Sequence, residues 1–275
     1  MPSTVVDVTP TPTDASTASF SSGSSQKNPS LEWPDLAALT GVAEAVEEAR
    51  RAVAELRRHP ANTRGWAKSA AAAAVRASRA SAALDGGDPG IDALAEIVSD
   101  PVLAGALRCN SALATMAPIW ERAPLQALAR LHTLAGADLG SQVGLGRPRP
   151  TDPLLGPRLS GLATVAVSAP WPAPIKVAIV HAEVLALQPF DSANGVVGRA
   201  AARLTAMCSG LDQQALTVPE VHFFRTEADY RRLLLAYGSG SEDGLAQWLV
   251  YCCEALIAGA REGTSIANAS RTDGP

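Results

Sequence analysis

The chain has 275 residues, 47% of them hydrophobic, enough for one sizeable core and one or two domains. A formal net charge of -4, with charged residues at 18%, supplies no basic footprint for nucleic acid or an anionic membrane surface, so neither is an expected partner. The four cysteines (Cys109, Cys208, Cys252, Cys253) form no C-x-x-C and have no histidine at ligand spacing, and they read as buried thiols. No apolar run of the roughly 18 residues expected of a membrane span stands out. The N-terminus lacks a basic stretch followed by an apolar one, so the expected compartment is the cytoplasm.

Residues 1–30 are rich in Ser, Thr and Pro with little to bury, and they read as a disordered tail. The first periodic element follows: Leu39, Val42, Val46, Ala49, Val53 and Leu56 recur three and four apart, with Glu and Arg on the other faces. It stops at His59-Pro60. An Ala-rich helix from Trp66 to Leu84 comes next, ended by Asp-Gly-Gly-Asp-Pro-Gly, and the two helices are expected to pair as an antiparallel hairpin. Further helical patterns cover 91–98, 102–116, 124–137, 157–167, 172–187, 198–209, 227–237 and 244–260. Neither strand alternation nor a fixed-period repeat is present, so the expected class is all-α. The segment 266–275 reads as a second disordered tail.

The chemically informative stretch is 172–204. An apolar helix carrying His181 runs into Gln188-Pro189-Phe190 and then the polar loop Asp191-Ser192-Ala193-Asn194-Gly195. A new helix follows, with Arg199 and Arg203. Free N–H groups and the positive end of the macrodipole at such a helix start favour an anion, and Gly195 permits close approach of the backbone. By itself, Asn-Gly between helices is also an ordinary turn.

This segment resembles the signature of the Fic (Fido) family, His-Pro-Phe-x-(Asp/Glu)-Gly-Asn-Gly-Arg-x-x-Arg. Gln188 stands at the position of the histidine, Pro189 and Phe190 match, and Ser192 stands at the acidic position. Ala193 replaces the first glycine, Asn194 and Gly195 match, Val196 replaces the first arginine, and Arg199 matches the second. Ser81 to Gly86 is similar to the family's inhibitory motif, (Ser/Thr)-x-x-x-Glu-(Gly/Asn), with Asp85 in place of glutamate. Leu131-His132, the segment Gly146-Arg147-Pro148 and the closing helix with Trp248 and Tyr251 also resemble family elements.

The resemblance implies a Fic-like helical domain over 63–265, with a central helix-loop-helix and an N-terminal helix within 31–62 packed on it. Only nine residues separate Arg147 from Pro157, so the family's β-hairpin flap is expected to be shortened or absent. In active members the histidine accepts a proton from a target hydroxyl that attacks the α-phosphate of ATP, and the acidic residue holds Mg²⁺. An amide at Gln188 cannot accept that proton near neutral pH. The hydroxyl of Ser192 is a poor ligand for a hard cation. Asp191, one residue earlier, is the remaining candidate for metal or base.

What the resemblance retains is a phosphate-binding set (Ser192, Asn194, Gly195, Arg199) and an inhibitory set (Ser81, Asp85, Gly86), with Asp85 and Arg199 expected to meet as an ion pair. Two functions compete. One is a pseudoenzyme or regulatory module with a residual nucleotide-binding or phosphate-binding loop and a protein partner. The other is an adenylyltransferase with altered catalytic residues, using ATP and Mg²⁺ on a protein target. His181 reads as a hydrogen-bonded core residue and the tryptophans as core or interface anchors.

Overall fold

The computed structural model describes residues 33–91, 98–140, 143–150 and 153–272. The predicted tail at 1–30 and most of the helix expected at 91–98 lie outside them. Ten helices and no strand occur among the described residues, and the link between Arg147 and the next helix carries no described hairpin.

At the centre are α6 (Ala173–Leu187) and α7 (Asn194–Cys208), packed on each other along their lengths. Both are apolar nearly all round, as helices enclosed by others must be: Ile175, Ala178, Ile179, Val180, Ala182 and Val184 of α6 and Val197, Ala201 and Leu204 of α7 are buried. Around them stand α3 (Pro101–Trp120), α4 (Pro124–Gly136), α5 (Leu155–Ser168), α9 (Glu227–Gly238) and α10 (Glu242–Thr272). Four prolines at first helical positions, Pro60, Pro101, Pro124 and Pro219, fix helix starts where no N–H is needed. Asp100 caps α3 by accepting from Val102 N–H at 2.8 Å.

The expected pairing of the first two helices is corrected. The apolar stripe of α1 (Val42–Arg58) lies mainly on α10, with Gly41 against Val250 and Leu56 against Gly263. α2 (Pro60–Leu84) turns away after a non-helical Gly65 and packs instead on α3, α8 (Pro219–Arg225) and α10. The physical reason is composition: apart from an exposed Trp66, the first half of α2 holds only small, polar and charged residues and offers α1 little apolar surface, whereas α10 offers a long one. Trp66, read as an anchor, is 42% exposed, while Trp120 and Trp248 are fully buried.

Three further readings change. α8, only seven residues long, was too short to show a period. α10 carries through Thr272 with Ala267 buried, so 266–272 is helix and not tail. α3 is long and apolar enough to cross a membrane by length and composition, which the sequence reading had not registered. Its Leu103, Ala106, Cys109, Leu113, Met116 and Trp120 are buried in this core.

Candidate functional site

The site grows from the junction of α6 and α7. α6 ends at Gln188, whose left-handed backbone (φ 43°) lets its N–H close on Val184 C=O at 3.0 Å. The chain then reverses through Pro189-Phe190, and Ala193, also left-handed (φ 55°), starts α7. Two non-glycine residues in this region, each costing about 1–2 kcal/mol, mark a loop over-determined by its surroundings. The surroundings are identifiable. Asn194 accepts from Phe190 N–H at 3.0 Å and donates to Phe190 C=O at 2.8 Å. Phe190 stacks on His132 with centroids 4.1 Å apart, and Arg149 N–H donates to Pro189 C=O at 2.8 Å.

Consequently α7 begins at Asn194, four residues before the sequence reading placed it, and Asn194 and Gly195 are its first turn rather than a loop. Ala193 offers no side-chain cap. The acceptor comes from across the molecule: Asp85, at the C-terminal end of α2, accepts from Val196 N–H through Oδ2 at 2.9 Å. Its Oδ1 meets Arg199 Nη2 at 2.8 Å. A Cβ on Gly195 would fall on that carboxylate, so glycine is the residue that lets Asp85 sit against the backbone. A carboxylate at a helix N-terminus, flanked by an arginine, fills the place where this geometry would hold a phosphate.

Arg199 is 3% exposed and is gripped from several sides. Its Nε donates to Ser81 Oγ at 2.7 Å, its Nη2 to Ser81 C=O at 2.9 Å, and its Nη1 to Tyr230 OH at 3.4 Å. Burial opposes its charge, and Asp85 and Tyr230 more than offset that, holding the guanidinium above its ordinary pKa. Ser81, Asp85, Gly195 and Arg199 therefore converge. Gly86 does not touch the seat: it lies in the turn that ends α2, with φ 85°.

The remaining sequence candidates lie apart. Gln188 and Asp191 are exposed, and Ser192 is half-buried near Gly136. Among the described residues no three His, Cys, Asp or Glu side chains gather to hold a metal, and the Asp191 carboxylate lies toward Gly144. Arg203 points away, into a buried pair with Glu220 at 3.2 Å.

His181 is enclosed, its Nε2 2.8 Å from Tyr230 OH, and burial followed by Arg199 pushes its pKa down to about 3. It is a neutral core residue, 2% exposed. Sequence reasoning missed Tyr230; its only signal was one of two tyrosines on a helix of modest amphipathicity.

A helical bundle with a central helix-turn-helix, its second helix met at the N-terminus by an acid from an upstream helix, defines the class. The particular fold follows from its likeness to solved structures. A Fic family protein from Desulfovibrio desulfuricans G20 superposes with a TM-score of 0.60 at 17% identity, covering 86% of this chain and 76% of that one. Fic-1 from C. elegans (aa134–508) gives 0.62 at 15% identity, covering 83% and 74%. The chain has the Fic fold. No family model and no curated protein sequence matches it.

Proposed function

We propose that this protein is a Fic-fold pseudoenzyme or regulatory module that retains a seat for a nucleotide or other phosphate compound and keeps it closed with its own Asp85. The observation that carries this reading is the double engagement of Asp85, on Val196 N–H and on Arg199. Loss of the base at Gln188, of the acid at Ser192 and of a cation at Val196 argues against transfer chemistry, because proton, metal and phosphate contacts are weakened together. The ligand would enter when Asp85 withdraws, and a protein partner is the natural source of that change. A cytoplasmic setting accords with four free cysteines, none of them paired.

The second reading, an adenylyltransferase with altered residues, rests on Asp191. That residue is exposed on the loop before α7, whereas His181 is 2% exposed in the core. Incubation of cell lysate with α-labelled ATP separates the two. The proposal expects no labelling above a control lacking the protein. Robust labelling abolished by Asp191→Ala would replace it with the transferase reading. A thermal-shift screen of nucleotides with and without Mg²⁺ on Asp85→Ala tests whether the seat accepts phosphates at all.

A further inference from the structure

Arg199 supplies the only cationic side chain on the seat among the described contacts, and its hold on an anion depends on how firmly its guanidinium is aimed. Arg199 makes four hydrogen-bonding interactions among the described residues. Two go to Ser81 and one to Asp85, both from the C-terminal end of α2. A movement of that end that withdraws Asp85 would carry Ser81 with it. The fourth, Nη1 to Tyr230 OH, comes from a different helix, α9, which meets the end of α2 through Arg231 donating to Leu84 C=O at 3.3 Å.

The direction of that contact is fixed by chemistry. A guanidinium has donors only, so the Tyr230 oxygen must accept from Arg199. The phenol proton then points the other way, to His181 Nε2 at 2.8 Å, and His181 accepts because it is neutral there. Burial first of all pushes the Tyr230 phenol up to about 12, so the proton stays on it. The chain Arg199 to Tyr230 to His181 thus runs one way.

Nor can the phenol swing aside. Its ring is stacked on Phe223 at 4.9 Å and packed against His181 at 5.6 Å and Trp248 at 5.9 Å, while Trp248 Nε1 is tied to Ala178 C=O at 2.9 Å. This enclosure, built from α6, α8 and α10, holds the oxygen in place without using Asp85 or Ser81.

We infer that Tyr230, backed by His181, is a positioning residue that keeps Arg199 aimed at the start of α7 when Asp85 gives way to a phosphate. Tyr230 touches no ligand atom itself; it acts through Arg199. The inference rests on the seat proposed above.

Its test uses the full chain with Asp85→Ala and inorganic pyrophosphate as the probe, by titration calorimetry. Adding Tyr230→Phe should weaken binding about fivefold or more, the factor set by one net hydrogen bond. Tyr237→Phe is the matched control: it also deletes a buried hydroxyl, one that donates to Glu183 at 2.7 Å, and should lower the melting temperature without moving affinity. His181→Gln, whose amide still accepts from Tyr230, should keep affinity within about twofold. Equal affinity with and without the Tyr230 hydroxyl would overturn the inference, as would an equal loss in the Tyr237 control. If Asp85→Ala binds no pyrophosphate, the seat itself is refuted. The side-chain resonances of Arg199 in otherwise wild-type protein then decide alone. Restricted rotation and slow exchange of its Nη1 hydrogens that survive Tyr230→Phe unchanged overturn the positioning role; accelerated exchange there supports it.

Discussion

Asp85→Ala is the most informative single change because it acts on stability and binding in opposite senses. Removing the carboxylate leaves Arg199, whose side chain is 2% exposed, without its counterion, and a buried charge stripped of its partner costs about 3–5 kcal/mol. Two features reduce that figure. The Asp85 side chain is 23% exposed, so water can enter the space it vacates, and both contacts from Arg199 to Ser81 survive. Loss of the acceptor for Val196 N–H adds about 1 kcal/mol, the usual effect of losing a helix N-cap. The sum is a destabilisation of about 2–4 kcal/mol. For a domain of this size it lowers the melting temperature by about 5–15 °C. Pyrophosphate or ATP at about a hundredfold its Kd should restore about 2.7 kcal/mol in the variant and little in the wild type. Differential scanning fluorimetry on both proteins, with and without each anion, gives all four values. Arg199→Ala should lose stability with no recovery by anions. A variant Asp85→Ala that melts with the wild type, or one that melts lower and recovers with no anion, would refute the reasoning.

The other expectations concern neighbouring atoms. Gly195→Ala places a methyl on the Asp85 carboxylate and should cost about 2–4 kcal/mol by chemical denaturation, yet less than about 1 kcal/mol when Asp85 is already alanine. Ala193→Gly relieves a left-handed alanine (φ 55°) and should raise stability by about 1 kcal/mol, read as a higher denaturation midpoint. His181 stays neutral in the fold down to about pH 3, whereas the unfolded chain protonates it below about 6.5. Stability should therefore fall as pH drops below 6.5, by up to about 2 kcal/mol at pH 5, and His181→Gln should flatten that slope. Gln188→His alone should give no AMP-modified product by α-labelled ATP autoradiography, since Ser192 and Val196 still leave metal and phosphate unsupported.

The sequence made the fold class legible because the helical periods are long and no strand alternation competes with them. The ordering of the loop motif after α6 and the acid after α2 pointed to their meeting, and Asp85 does meet Arg199. What escaped was set by tertiary contacts. The start of α7 depends on an Asn194 side chain folding back on Phe190 and on a cap from another helix, neither of which leaves a local period. α1 chose α10 over its sequence neighbour because the apolar surface lay there. Tyr230 was illegible for a related reason: its role comes from what surrounds its hydroxyl, and nothing in the sequence separates it from Tyr237 on the same helix.

The cap that completes α7 comes from a residue 111 positions earlier in the chain. This separation sets an order in time. α7 can wind on α6 by local steps, but its first turn cannot close, nor Arg199 be neutralised, until α2 has docked across the intervening helices. The amides of that first turn should accordingly gain protection in the same refolding phase as the end of α2 and later than the middle of α7, a sequence that pulse-labelled hydrogen exchange resolves. It follows as well that a shortened chain beginning after α2 would carry a buried cation and an open helix start, and should recover both only when a peptide spanning residues 60–88 is supplied in trans.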